Sequence, residues 1–223
     1  MYFSRRQGTF ISGLLSFALT FIMVGQLQER PSETFSNNAY LESIETKVFK
    51  RLAQERKSIT IHERGKAKAR IKEVIESYRT GMSDDNIELT PDLIVRESDK
   101  YGYDPLFLTA LIITESSFNN WAKSRRGALG LMQIRPATGL ALAQETKIEW
   151  NGVPTLYEPD SNIALGAYYL NKLLERFGDL SLALEAYNHG PSQLSRYLRR
   201  GYRPTKYSKR VYKHYKRIKS PSI

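Results

Sequence analysis

The chain has 223 residues, room for one domain of ordinary size and accessory segments but too few for two full domains. Apolar residues make up 41% and charged residues 26%, which excludes wholesale disorder, and the lack of cysteine excludes a disulfide framework, thiolate metal sites and a cysteine nucleophile. The net charge of +11 is local: residues 196–223 hold eleven Lys and Arg and no acid, while the rest of the chain carries 23 bases and 23 acids. The basic balance therefore does not mark the central part as a nucleic-acid binder. Three scattered histidines, His62, His189 and His214, supply no histidine-rich zinc site, so neither a metal nor a cofactor is expected.

In chain order, the first predicted element is apolar. Residues 7–28 carry no charge. As a helix they would be about 33 Å long, enough to cross a hydrocarbon core of about 30 Å. Arg5 and Arg6 precede them and place the N-terminus in the cytoplasm. Residues 1–28 are expected to be a membrane anchor, with everything after them in the periplasm or cell-wall space. The alternative is a cleaved signal peptide and a secreted product, although no small-x-small pair follows the apolar run. Residues 29–88 predict a charged helical stalk. Ile44, Val48 and Leu52 share one face, and Ile71, Val74, Ile75 and Tyr78 form a second stripe beyond Gly65. Such a stalk is either a coiled-coil partner or a solvated spacer, the spacer being preferred, and residues 81–86 close it as a loop.

From 89 to 200 one helix signal follows another. Thr90-Pro91 predicts a helix start, and so does Asp104-Pro105, which opens a helix to Ser116. Asp160-Ser161-Asn162 opens a further helix ended by Gly178, and Asp179 caps another over 180–187. Strict alternation over strand length is absent, so the fold class is all-α. Between Pro105 and Ala122 the only ionisable side chain is Glu115, and Leu108, Leu111 and Ile112 precede it at helical spacing. A carboxyl held against apolar surface loses solvation, and its pKa rises. That suits a general acid protonated near neutral pH. The competing reading is a Glu turned outward and solvated in the last helical turn.

Its context favours the acid. Ser124 follows, then the small-residue run 127–134 containing Gln133, then Tyr187 and Asn188 at a helix end. Hydroxyl, amide and phenol groups around one dry carboxyl suit a neutral, hydroxyl-rich ligand such as a sugar. They do not suit a phosphate, because no Gly-rich loop with a Lys follows a strand.

Glu-Ser-Ser-Phe-Asn at 115–119, Gly-Leu-Met-Gln-Ile at 130–134, Asn162-Ile163 with Gly166 and Tyr169-Leu170, and Ala-Tyr-Asn at 186–188 together resemble the soluble lytic transglycosylase (SLT) domain. That family shares the lysozyme-like fold of goose-type lysozyme, and the resemblance covers about half the chain, 89–200. It implies cleavage of the β-1,4 bond between N-acetylmuramic acid and N-acetylglucosamine in peptidoglycan. Glu115 matches the family's single catalytic acid and base, which leaves a 1,6-anhydromuramyl product. Ser124 matches a serine that contacts the substrate acetamido group, and Met132, Gln133, Tyr187 and Asn188 match positions lining the groove. Three positions depart from the common pattern. Asn120 and Glu158 suggest surface or turn changes, and His189 stands beside the expected site, where a solvated helix-terminal histidine is the simpler reading.

Residues 201–223 form a basic, Tyr-rich tail. It is expected to lie on anionic lipid or cell wall, or to be solvated, with some tyrosines packing back on the domain or reaching the groove. Nucleic acid is not an expected partner. Two other functions compete with the transglycosylase. One is a hydrolytic muramidase on the same fold, and the other is a non-catalytic wall-binding tether of an envelope-spanning machine.

Overall fold

A computed structural model describes residues 60–220, and all of them belong to one compact unit. The expected anchor, 1–28, and the stalk up to 59 lie outside the described residues. Every element described is a helix, apart from two isolated bridges, Lys123 with Leu129 and Leu129 with Ile134. The all-α expectation therefore agrees with the structure. No helix among the described residues is long and apolar enough to cross a membrane.

The first helix, α1, occupies 60–76. Its Ile71, Val74 and Ile75 are buried in the same core as the later helices. The stripe assigned to a solvated spacer is thus a packing face. Charge holds α1 along α2 (Asp84–Tyr101): Lys72 meets Glu88 at 2.5 Å, Arg64 meets Asp99 at 2.7 Å, and Lys68 pairs with Asp92. Helix α2 also corrects the expected start at Thr90-Pro91. It begins at Asp84, with the Ser83 side chain accepting from the Asn86 N–H and two aspartates in the first turn. Pro91 lies inside it, and the Thr90 hydroxyl donates to the Asn86 carbonyl at 2.6 Å rather than capping.

Helix α3 (Pro105–Ser116) matches its expected bounds, with Asp104 accepting from the Leu106 N–H at the N-cap. It is apolar on all sides, and Phe107 through Ile113 are buried. A helix of that kind belongs at the centre. Then come α4 (Pro136–Thr146), a 3-10 turn at Val153–Tyr157, α5 (Pro159–Phe177), α6 (Leu180–His189), α7 (Pro191–Arg199) and α8 (Lys206–Lys219). Helix α3 packs on α2 and α8, α5 on α2 and α6, and α6 on α8, which closes a ring of helices. The tail of the sequence reading is therefore a wall of the fold. Tyr207, Val211 and Ile218 of α8 are buried, while its lysines and arginines face out.

Asn120 is another correction. It is buried, with its N–H donating to the Thr80 carbonyl at 2.8 Å and its side chain to the Tyr157 carbonyl at 2.8 Å. A proline there could not make the first of these bonds. Glu158 is exposed at the start of α5 and makes no capping bond.

Candidate active site

Helix α3 ends abruptly. Ser117 and Phe118 both take left-handed backbone conformations, at φ 52° and 59°. Phe118 is buried completely, and this turn leaves Glu115 in the last helical turn, at the edge of the core. The carboxyl opens into a cavity of about 650 Å³ whose lining also includes Ser124, Gln133, Tyr169, Tyr187 and Asn188. Glu115 is the only Asp or Glu among the lining residues.

Burial pushes the Glu115 pKa up to about 7, against a hydrogen bond from Tyr207 and the charge of Arg210, which pull it down. The Tyr207 hydroxyl donates directly to Glu115 Oε1. Burial and the neighbouring carboxyl raise the Tyr207 pKa well above the phenol range, so it stays a donor. Tyr207 is thus one of the tail tyrosines that pack back on the domain and reach the site. Its only signal is the apolar spacing of Tyr207, Val211 and Ile218 in a segment dominated by charge.

The loop 123–134 supplies a further part of the lining. Ser124 Oγ accepts from the Ala128 N–H at 2.9 Å, which leaves its hydroxyl proton free to donate. Gln133, itself at φ 50°, directs its amide nitrogen to the Gly130 and Ala122 carbonyls at 2.9 and 3.1 Å. That arrangement keeps the amide oxygen as the acceptor available to a ligand. Asn188 is exposed at the rim. Together these groups offer one acid, a donor, an acceptor and an amide, a set fitted to hydroxyl and acetamido groups.

Two expected groove residues act differently. Met132 is buried completely and does not line the cavity. Its side chain rests on Gly166, where an added Cβ would come within 2.4 Å of the sulfur. Tyr187 lines the cavity with its ring but donates its hydroxyl to the Met132 carbonyl at 2.9 Å. The pair thus locks α6 to the loop. Asn162, read as part of a helix start, is a buried clamp. Its oxygen accepts from the Met132 N–H at 2.7 Å, and its nitrogen donates to the Leu156 and Leu129 carbonyls at 2.8 and 3.2 Å. Gly130 passes so close that a Cβ would sit 2.1 Å from the Leu156 carbonyl oxygen.

His189 does line the cavity, with Nε2 3.5 Å from Oε2 of the fully buried Glu185. The other Glu185 oxygen accepts from the Ser208 N–H and hydroxyl at 2.8 and 2.9 Å. Glu185 therefore staples α6 to the turn of α8 that carries Tyr207. Arg125, Arg126, Arg135 and Thr138 also line the cavity, and no sequence signal marks them out.

A second cavity of about 600 Å³ lies at the other end of α3, walled by Tyr103, Phe107, Leu184, Tyr212 and Tyr215. Its one acid is Asp104. Burial pushes that carboxyl up, but bonds from Tyr215, Lys219 and the Leu106 N–H outweigh this and hold it below the usual range. An ionised, fully bonded carboxylate cannot donate a proton, so the acid chemistry belongs to Glu115.

Comparison with known proteins bears on the family of the chain. The Transglycosylase SLT domain model matches residues 92–209. A transglycosylase of Enterobacteria phage PRD1 is 41% identical over 96 residues, covering 43% of this chain and 33% of that protein. Membrane-bound lytic murein transglycosylase C of Edwardsiella ictaluri is 42% identical over 82 residues, covering 35% of this chain and 23% of that protein. Among solved structures, an inactive variant of lytic transglycosylase Slt from Pseudomonas aeruginosa aligns with a TM-score of 0.47 at 30% identity, covering 58% of this chain and 21% of that one. The chain spans a third or less of the length of each of these proteins. Residues 92–209 are just over half of the chain and run from within α2 to within α8, so the protein belongs to the transglycosylase SLT domain family.

Proposed function

We propose that the chain is a lytic transglycosylase that cleaves the β-1,4 bond between N-acetylmuramic acid and N-acetylglucosamine in peptidoglycan. The observation that carries this reading is a single carboxyl, protonated near neutral pH, in a polar cleft lined by no second acid. Glu115 protonates the glycosidic oxygen as the bond to C1 breaks. The resulting carboxylate, steadied by the Tyr207 hydroxyl, takes the proton of the muramic acid C6 hydroxyl. That oxygen closes on C1 and leaves a 1,6-anhydro ring, so no water is consumed. With no second carboxylate beside the bond, the substrate's own acetamido group supports the positive centre, as in substrate-assisted glycosidases. Ser124, Gln133 and Asn188 are the groups placed to hold sugar hydroxyl and acetamido atoms.

The same proposal places the domain outside the cytoplasmic membrane, tethered through residues 1–28, with the cationic outer face of α8 toward anionic lipid or wall polymer. Relatives named as membrane-bound support that location. Digestion of purified sacculi by the full chain, with mass analysis of the products, tests the chemistry. Anhydromuramyl ends are expected, and Glu115→Gln should abolish them. Reducing ends in their place would identify a hydrolytic muramidase. Full biological function of Glu115→Gln would identify a non-catalytic tether.

A further inference from the structure

The cleft carries more positive charge than a neutral sugar requires. Arg125, Arg126, Arg135 and His189 all line it, together with a single carboxyl that is half protonated near pH 7. All three guanidinium groups are exposed, and none is paired with a carboxylate among the described residues. Other surface cations have found acids, as Lys172 has Glu145 at 2.6 Å and Arg64 has Asp99 at 2.7 Å.

Their placement is built into tight turns. Arg125 and Arg126 stand in the turn closed by the Gly127 N–H on the Ser124 carbonyl at 3.0 Å, and the Ser124 N–H on the Ala128 carbonyl at 2.9 Å fixes its base. Arg135 follows directly on the 129–134 turn that Asn162 clamps, and it occupies the N-cap of α4 without capping it. Arg125 and Arg126 therefore follow Ser124 directly, Arg135 lies two residues past Gln133, and all three line the same cavity as Glu115. Neighbouring like charges repel, and a ligand anion relieves the repulsion. Guanidinium is also the side chain best shaped for carboxylate, which it can grip with two parallel bonds.

We infer that Arg125, Arg126 and Arg135 form a carboxylate-reading rim, so that the cleft selects glycan carrying carboxylates on its muramic acid residues over neutral glycan. The inference rests on the reading of this cleft as a peptidoglycan site and deepens it. Two parts of the polymer present the required group. Unsubstituted muramic acid has the lactyl carboxylate, whereas substituted muramic acid has that carboxyl in an amide and carries carboxylates on its peptide stem.

The test uses binding, so it does not depend on turnover. Full-length Glu115→Gln protein is titrated with neutral chitotetraose, with amidase-stripped glycan strands and with peptide-bearing strands, at low and high salt. Both muramic acid ligands, or one of them, should bind roughly tenfold tighter than chitotetraose at low salt, and added salt should shrink the gap. Tighter binding of peptide-bearing strands assigns the rim to the stem, and tighter binding of stripped strands assigns it to the lactyl group. Adding Arg125→Gln, Arg126→Gln and Arg135→Gln together should erase the gap and leave chitotetraose affinity within twofold. Equal affinity for all three ligands overturns the inference, as does an affinity gap that survives the triple change or a uniform loss across the ligands. Selective binding by a protein whose Glu115-intact form releases no anhydro product would sink the catalytic reading and leave the rim standing.

Discussion

Glu115 is held in a protonation state that the unfolded chain would not choose. Its pKa rises from 4.5 to about 7 on folding, chiefly through burial. Between those values the folded state binds more protons than the unfolded state, so stability falls as pH rises through that window and the deficit is complete above 7. Glutamine is neutral at every pH and escapes this cost. Glu115→Gln is therefore expected to raise the thermal midpoint at pH 8 and leave it nearly unchanged at pH 4.5. At about 1.4 kcal/mol per pH unit the ceiling is about 3 kcal/mol, and partial exposure of the group brings the gain to about 1–2 kcal/mol, or several degrees. Thermal scans at the two pH values decide it, and an equal shift at both would refute the buried-acid account. Tyr207 bears on the same group in the opposite sense, because its hydrogen bond lowers the Glu115 pKa. Tyr207→Phe should thus move the alkaline limb of kcat/KM to higher pH. It should also lower kcat by roughly 10- to 100-fold, since the carboxylate formed on proton transfer loses its donor. A limb that moved to lower pH would contradict the assignment.

The 129–134 loop depends on bonds made from another helix. Asn162 satisfies the Met132 N–H and the Leu129 and Leu156 carbonyls from a fully buried position on α5. Asn162→Ala strands three polar groups in the core, a loss of about 2–4 kcal/mol. Because the same loop presents Gln133 and the Met132 carbonyl that holds Tyr187, kcat should fall along with the urea midpoint. A variant that keeps full activity would show that the loop holds itself. The sequence reads such elements unevenly, and the reason is distance. The α3 cap at Asp104, the α6 cap at Asp179 and the stop at Gly178 act over a few residues, and all three were legible. Helix α4 starts at a proline whose preceding Arg135 offers no cap bond, and it was missed. Asn162 looked like part of a cap because Asp-Ser-Asn clusters usually cap. Its actual partners lie as far as 33 residues away in the chain, which no local pattern encodes.

At the scale of the whole molecule, the core that buries α3 is completed by segments whose composition disguises them. The apolar stripes Ile71, Val74, Ile75 and Tyr207, Val211, Ile218 are narrow and set among charged residues, and so suggest a stalk and a tail. The Glu115 site, by contrast, was legible as far as Ser124, Gln133, Tyr187 and Asn188, because its residues recur in short runs, while Tyr207 depended on how the chain closes. This difference bears on where the domain can be cut. A fragment beginning at residue 89, as the motifs alone would suggest, lacks α1 and the first turn of α2. It exposes the core where Ile71, Val74 and Ile75 were buried, at about 1.5–3 kcal/mol for each lost side chain. Their sum is on the order of 5 kcal/mol, comparable with the whole stability of a typical domain. The fragment also loses the pairing of Lys72 with Glu88 and the bond from Arg70 to the Ile218 carbonyl at 3.0 Å, which fastens the far end of α8. Slack there would loosen the helix that carries Tyr207. Residues 89–223 are therefore expected to show a broad or absent thermal transition and little activity, while residues 57–223 melt cooperatively and cleave sacculi. Circular dichroism melts of the two fragments, with product analysis beside them, separate the cases. A cooperative and active 89–223 fragment would mean that α1 leans on the domain without supporting it.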